Sequence, residues 1–162
     1  MKKITQKRLE NIALYYLERY EASSGKLRAV LKRRLMKASK EQPIPPEASD
    51  WIEQVIFQMQ QLGYINDKRF AENTVRRLSG AGKSRSFIRS KLKLAGIEED
   101  EISQALADTD ELASAQLWVQ KKHLSGDFKK DLARLARAGF SYEIAREALE
   151  EIASFPTEEN FT

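Results

Sequence analysis

The run GYINDKRF, residues 63–70, puts Asp67 two positions before Arg69 and three after Tyr64. An acid and a base so close could move a proton. The surrounding pattern favours a joint between two helices instead. Helical spacing ends at Leu62 and resumes at Phe70. Gly63 suits the left-handed position that closes a helix. Asn66 or Asp67 can accept backbone N–H groups at the start of the next one. Tyr64 and Ile65 are expected to cover the gap, and Arg69 and Phe70 to open the new helix.

Other chemistry-bearing residues resolve in the same direction. Gly82-Lys83-Ser84 imitates the end of a phosphate-binding loop, but that loop needs a glycine where Arg77 stands and a strand before it. The surrounding spacing is helical. Glu98, Glu99, Asp100 and Glu101 could hold a hard cation. At the start of a short helix they complement its dipole. His123 is the only histidine and there is no cysteine, so thiol catalysis, thiolate metal sites and disulfides are excluded. Met36, Met59, Trp51 and Trp118 read as core. No nucleophile–base pair and no metal set emerges. A non-enzyme without cofactor or metal is expected.

The elements that position these residues are helical throughout. Leu9, Ile12, Ala13, Tyr16, Leu17 and Tyr20 follow one helix face. The same spacing recurs through Leu27–Leu35, Trp51–Leu62, Phe70–Leu78, Ile88–Ala95, Ile102–Leu106, Leu112–Val119, Phe128–Ala136 and Ile144–Ile152. No period-2 run predicts a strand. Ser23-Ser24-Gly25 is read as the first break. The prolines of EQPIPP, residues 41–46, supply the second. Gly80-Ala81-Gly82, Ala95-Gly96, Ser125-Gly126 and Ala138-Gly139 supply later ones.

Charge alternates along the chain. Net charge is +9 over residues 1–40, −4 over 41–66, +7 over 67–96, −7 over 97–111, +4 over 112–140 and −5 over 141–162. Three such cycles, with Gly96 and Gly139 in matching Ala-Gly joints 43 residues apart, predict repeated units. The expected fold is all-α, about nine helices as tandem three-helix repeats in an elongated curved array. The triplets are residues 1–62, 63–107 and 108–153, with a disordered tail at 154–162.

Basic helices remain as the candidate interface. Lys26, Arg28, Lys32, Arg33 and Lys37 lie off the apolar face of their segment. Arg76, Arg77, Lys83, Arg85, Arg89 and Lys93 cluster in the second triplet. Lys121, Lys122, Lys129 and Lys130 continue in the third. Such bases can pair with the protein's own acidic helices, or they can neutralise phosphates and release counterions. Few Asn or Gln stand where a helix would read base edges, so backbone tracking is expected over sequence reading. The N-terminus is basic but interrupted by Glu18 and Arg19, which argues against a signal peptide. No run approaches the ~20 apolar residues of a membrane span. A cytoplasmic monomer is expected.

The joint Gly63, Tyr64, Ile65, Asn66, Asp67, Arg69, Phe70, Ala71, followed by Ile88, Arg89, Leu92, Gly96 and Ile97, resembles the RecX family of bacterial recombination regulators. ALYYLERYEASSGKLRAVL (13–31) resembles that family's first unit, and RAGFSYEIAREAL (137–149) its last. The resemblance implies a helical array lying along the groove of a RecA–DNA filament. It also implies modulation, chiefly inhibition, of the recombinase's ATP hydrolysis, strand exchange and coprotease activity. The implied partners are RecA and single-stranded DNA, with double-stranded DNA second. One departure stands at Ser24, where the family carries a Ser-x-x-Glu-Leu capping box. Here Lys26-Leu27 follow, so no glutamate is at hand for the reciprocal bond. The competing readings are a stand-alone DNA-binding helical module and a protein–protein helical scaffold.

Overall fold

The computed structural model describes residues 2–154; of the tail expected at 154–162, residue 154 is still helical and residues 155–162 lie outside the described residues. Among the described residues there are nine helices and no strand. They are α1 (Gln6–Arg19), α2 (Ser24–Ala38), α3 (Ala48–Gln61), α4 (Asp67–Gly80), α5 (Arg85–Leu94), α6 (Glu99–Leu106), α7 (Glu111–Lys121), α8 (Phe128–Arg137) and α9 (Tyr142–Ser154).

The chain divides into two compact units. One takes the residues up to Ala71 together with Lys93–Glu101, and the other takes Glu72–Leu92 and the described chain from Ile102 onward. The division falls within α4, α5 and α6, because segments distant in sequence complete each unit.

The N-terminal unit is built on α1, α2 and α3. Leu9, Ala13, Leu27, Leu31, Ile52, Val55, Ile56, Met59 and Ile65 form its core. Their 3.6-residue spacing gives each helix one apolar stripe, and the three stripes bury each other. In the other unit Ala115, Val119, Leu135, Phe140, Ala145, Ala148 and Leu149 form the core of α7, α8 and α9.

Gly25 does not break the chain; it lies within the first turn of α2, whose N-cap is Ser23. A Cβ there would meet the Ala95 carbonyl oxygen at 2.6 Å and Gly96 Cα at 2.9 Å, so the position is kept bare by close backbone approach. Met36 is 67% exposed rather than core, because Leu27 and Leu31 already supply the buried stripe of α2. Tyr64 is 54% exposed, so Ile65 alone covers the joint.

Candidate nucleic-acid interface

The joint between α3 and α4 is structural. Gly63 has φ +76°. Its N–H donates to Gln60 O, and the Tyr64 N–H donates to Met59 O, which closes α3 with two of its orphan carbonyls satisfied. Asn66 caps α4 by accepting from the Arg69 N–H at 3.0 Å. The Arg69 guanidinium reaches back to Gly63 O at 3.5 Å.

Asp67 does something the local sequence does not announce. Its carboxylate accepts from the Ser24 N–H at 2.7 Å and the Ser24 hydroxyl at 2.5 Å. It therefore sits at the N-terminus of α2, where a negative charge meets the positive end of the helix dipole. This acid from α4 accepts from the first residue of α2, whereas a capping-box glutamate would have accepted from the N–H of the N-cap, which is Ser23 and not Ser24. Ser23 meanwhile accepts from the Lys26 N–H at 3.1 Å and donates to Ala95 O at 2.5 Å. Burial and the nearby Asp67 and Glu98 push the Glu101 carboxyl above its usual range.

Ser84, the phosphate-loop imitator, repeats this arrangement in the other unit. Its hydroxyl oxygen accepts from the Phe87 N–H at 3.1 Å and its hydroxyl donates to Ala138 O at 2.9 Å. A Cβ on Gly82 would meet Trp118 N at 2.9 Å, so that glycine serves close packing on α7. The hydroxyl that would meet a nucleotide's metal is spent on a helix cap. His123 is exposed and contributes its carbonyl, which accepts from Arg134 Nη1 at 2.6 Å. Asp131 is buried and accepts from Ser125 N–H and Oγ, both at 2.9 Å, and from the Gly126 N–H. Those bonds, with Arg134 nearby, hold its carboxyl below the usual range despite burial. No group of side chains suited to a metal ion occurs among the described residues.

The basic residues separate into committed and uncommitted ones. Arg28 forms a two-pronged pair with Glu53 at 2.6 and 3.1 Å. That hydrogen bond lowers the Glu53 pKa and raises that of Arg28. Lys93 meets Glu99 at 3.7 Å. Arg85 is half-buried and donates from Nη2 to Thr109 O at 2.5 Å. Arg89 is also half-buried and interacts within the protein. Arg76 lines a cleft of about 470 Å³ with Glu72, Asp108 and Asp110. Lys121 donates to Ala81 O at 3.3 Å. Lys26 lies 5.0 Å from the Phe70 ring, and Lys83 lies 4.9 Å from the Phe87 ring.

Arg33 and Lys37 on α2 are exposed and carry no ion pair among the described residues, and Lys32, also exposed, makes no direct ion pair although its charge helps to lower the Glu53 pKa. The same holds for Arg77 at the end of α4, Lys122 after α7, and Lys129 and Lys130 on α8. Each unit thus presents cations whose charge its own acids leave unmatched. Lys91, which lies 5.4 Å from the Phe87 ring, and the bases of the N-terminal segment are not among the residues that the sequence pattern singles out. Their lysine and arginine content was visible, but the surfaces they share were not.

No helix among the described residues is long and apolar enough to cross a membrane. A family model described as "RecX, second three-helix domain" matches residues 66–106. A protein called "Regulatory protein RecX" from Myxococcus xanthus is 34% identical over 165 residues, 92% of this chain and 88% of its own length. A protein of the same name from Bacillus pumilus is 37% identical over 113 residues, 62% of this chain and 42% of its own length. The crystal structure of RecX from Lactobacillus salivarius superposes with a TM-score of 0.74 over 93% of this chain and 97% of that one. At 22% identity that likeness speaks for the all-α fold.

Proposed function

The chain belongs to the RecX family, and from that premise we propose that it regulates homologous recombination by binding the RecA–DNA filament along its groove. The regulation proposed is inhibition of the recombinase's ATP hydrolysis, strand exchange and coprotease activity, without catalysis of its own. The observation that carries the reading is the 34% identity with a regulatory relative across 92% of the chain. The uncommitted cations on α2, α4, α7 and α8 support it physically. Phosphates entering such faces release counterions, and the contact tolerates any sequence.

In this reading the three-helix sets 1–62, 63–107 and 108–153 are the repeating elements, and the chain acts as a cytoplasmic monomer. Filament contact is assigned first to Lys32, Arg33, Lys37, Arg77, Lys122, Lys129 and Lys130. Arg85 and Arg28 are given the role of holding the scaffold, because their guanidinium groups already have partners.

The test is binding to a preformed RecA–DNA filament, followed by co-sedimentation. Replacing Arg77, Lys122, Lys129 and Lys130 with alanine is expected to weaken binding while the helical circular dichroism spectrum is unchanged. Unchanged affinity in that variant refutes the assignment of those residues. No binding by the unaltered protein refutes the filament reading itself.

A further inference from the structure

The N-terminal segment carries a second cationic surface. Lys2, Lys3, Lys7 and Arg8 line a groove of about 630 Å³ together with Arg34 of α2. No Asp or Glu is among its lining residues. Lys7 meets Glu10 at 3.3 Å, and Arg8 donates to the Lys2 carbonyl, which draws the segment before α1 back toward the helix. Lys2, Lys3 and Arg34 carry no ion pair among the described residues. Cations so gathered repel one another, and an entering anion relieves that repulsion.

The groove ends on an aromatic wall. Tyr15 lines it and also lines an adjoining cavity of about 550 Å³ with Leu14, Leu17, Glu18 and Tyr64. Tyr15 is 59% exposed and Tyr64 54%. The Arg19 guanidinium lies 3.6 Å from the Tyr15 ring centroid and braces the ring's plane. Glu18, the acid of this cavity, meets Arg19 at 3.5 Å, which offsets its charge toward an incoming anion.

We propose that this surface binds a single nucleic-acid strand, with phosphates in the lysine–arginine groove and an unstacked base against Tyr15, in the cavity shared with Tyr64. A cationic track ending on exposed rings is the combination that single strands require, since every base has a face to stack. A duplex keeps those faces inside its own stack. An acidic peptide would use the cations and leave the tyrosines idle. The site is distinct from the bases assigned to filament contact and needs no recombinase, so its failure would leave the filament reading standing.

The experiment is fluorescence anisotropy of a labelled oligothymidylate with the full chain and no recombinase, across a salt series. Replacing Lys2, Lys3 and Arg34 with alanine is expected to weaken binding and to flatten the log–log salt dependence by roughly 2. Tyr15→Ala is expected to cost about tenfold on the oligothymidylate and to leave binding to an abasic strand of equal length unchanged. Tyr15→Phe is expected to retain affinity, and Tyr64→Ala probes the opposite wall by the same comparison. All five positions are exposed, and thermal melts monitored by circular dichroism check that each variant folds. Unaltered affinity and salt slope in the triple variant would overturn the groove. Equal loss on thymidylate and abasic strands in Tyr15→Ala would overturn the stacking. Displacement of the oligonucleotide by polyglutamate or anionic vesicles at matched charge would overturn the choice of a nucleic acid as ligand.

Discussion

Ser23 and Ser84 hold equivalent positions in the two compact units. Each caps a helix, and each hands its hydroxyl proton to the carbonyl just before a glycine with positive φ: Ala95 before Gly96, and Ala138 before Gly139. The surroundings differ. Two residues into α2 stands Gly25, and a Cβ built on the facing Gly96 would lie 3.0 Å from its Cα. Two residues into α5 stands Ser86, and a Cβ built on Gly139 would meet Ser84 Oγ at 2.5 Å and Ser86 Cβ at 3.4 Å. The first contact is backbone against backbone, with the Asp67 carboxylate at the helix end. The second is side chain against backbone, and α5 begins with Arg85, which turns to Thr109 O instead. One joint has thus been built twice, once with bare backbone and a charge, once with neutral hydroxyls. The lesson is that the bare version has no slack, while the hydroxyl version can relax by rotating a side chain.

Gly25→Ala is expected to have the largest effect, a loss of about 2–3 kcal/mol in urea unfolding, because the added carbon meets backbone atoms that cannot yield. A loss under about 0.5 kcal/mol would mean the two joints are equally tolerant, contrary to this account. Asp67→Ala should follow, at about 1–2 kcal/mol, since it strips a charge-assisted acceptor from two donors at the end of α2. Asp67→Asn would recover part of that, which separates hydrogen bonding from charge.

Ser84→Ala tests the neutral joint and is expected to cost about 1 kcal/mol, the usual worth of a serine cap. If it costs more than Asp67→Ala, the ordering of the two joints is wrong. The smallest effect is expected from Glu53→Gln, below about 0.5 kcal/mol, because the pair with Arg28 is exposed and screened. The sign is set by the lowered Glu53 pKa. The pair's contribution is present above the ordinary carboxylate range and is lost as pH falls through the lowered value. Acid titration of stability should show this small step in the parent chain, and Glu53→Gln should lack it.

Much of the fold was legible in the residues. Leu9, Ala13, Leu27, Leu31, Val55 and Met59 fall at helical spacing and are buried as that spacing predicts. Periodicity reports which face is apolar, and burial follows when the faces meet. Other features were not legible. Gly25 is a helix residue because of Ala95 and Gly96, some seventy positions onward. Asp67 lies in a run whose local chemistry already explains it, yet its partner is Ser24, 43 positions away. Met36 stands at an apolar position by type alone and is exposed. For the interface, the sequence showed where the bases are but not which are committed. Arg28 and Arg85 look as available as Lys32 and Arg77 until Glu53 and the Thr109 carbonyl are seen beside them. The groove of Lys2, Lys3 and Arg34 joins two segments about thirty residues apart, which no local pattern could join.

The most direct test of the regulatory account is ATP hydrolysis by RecA on single-stranded DNA, titrated with this protein. Inhibition is expected, and it should persist when excess single strand is added to relieve simple competition for DNA. Hydrolysis unchanged at saturating protein would contradict the regulatory account.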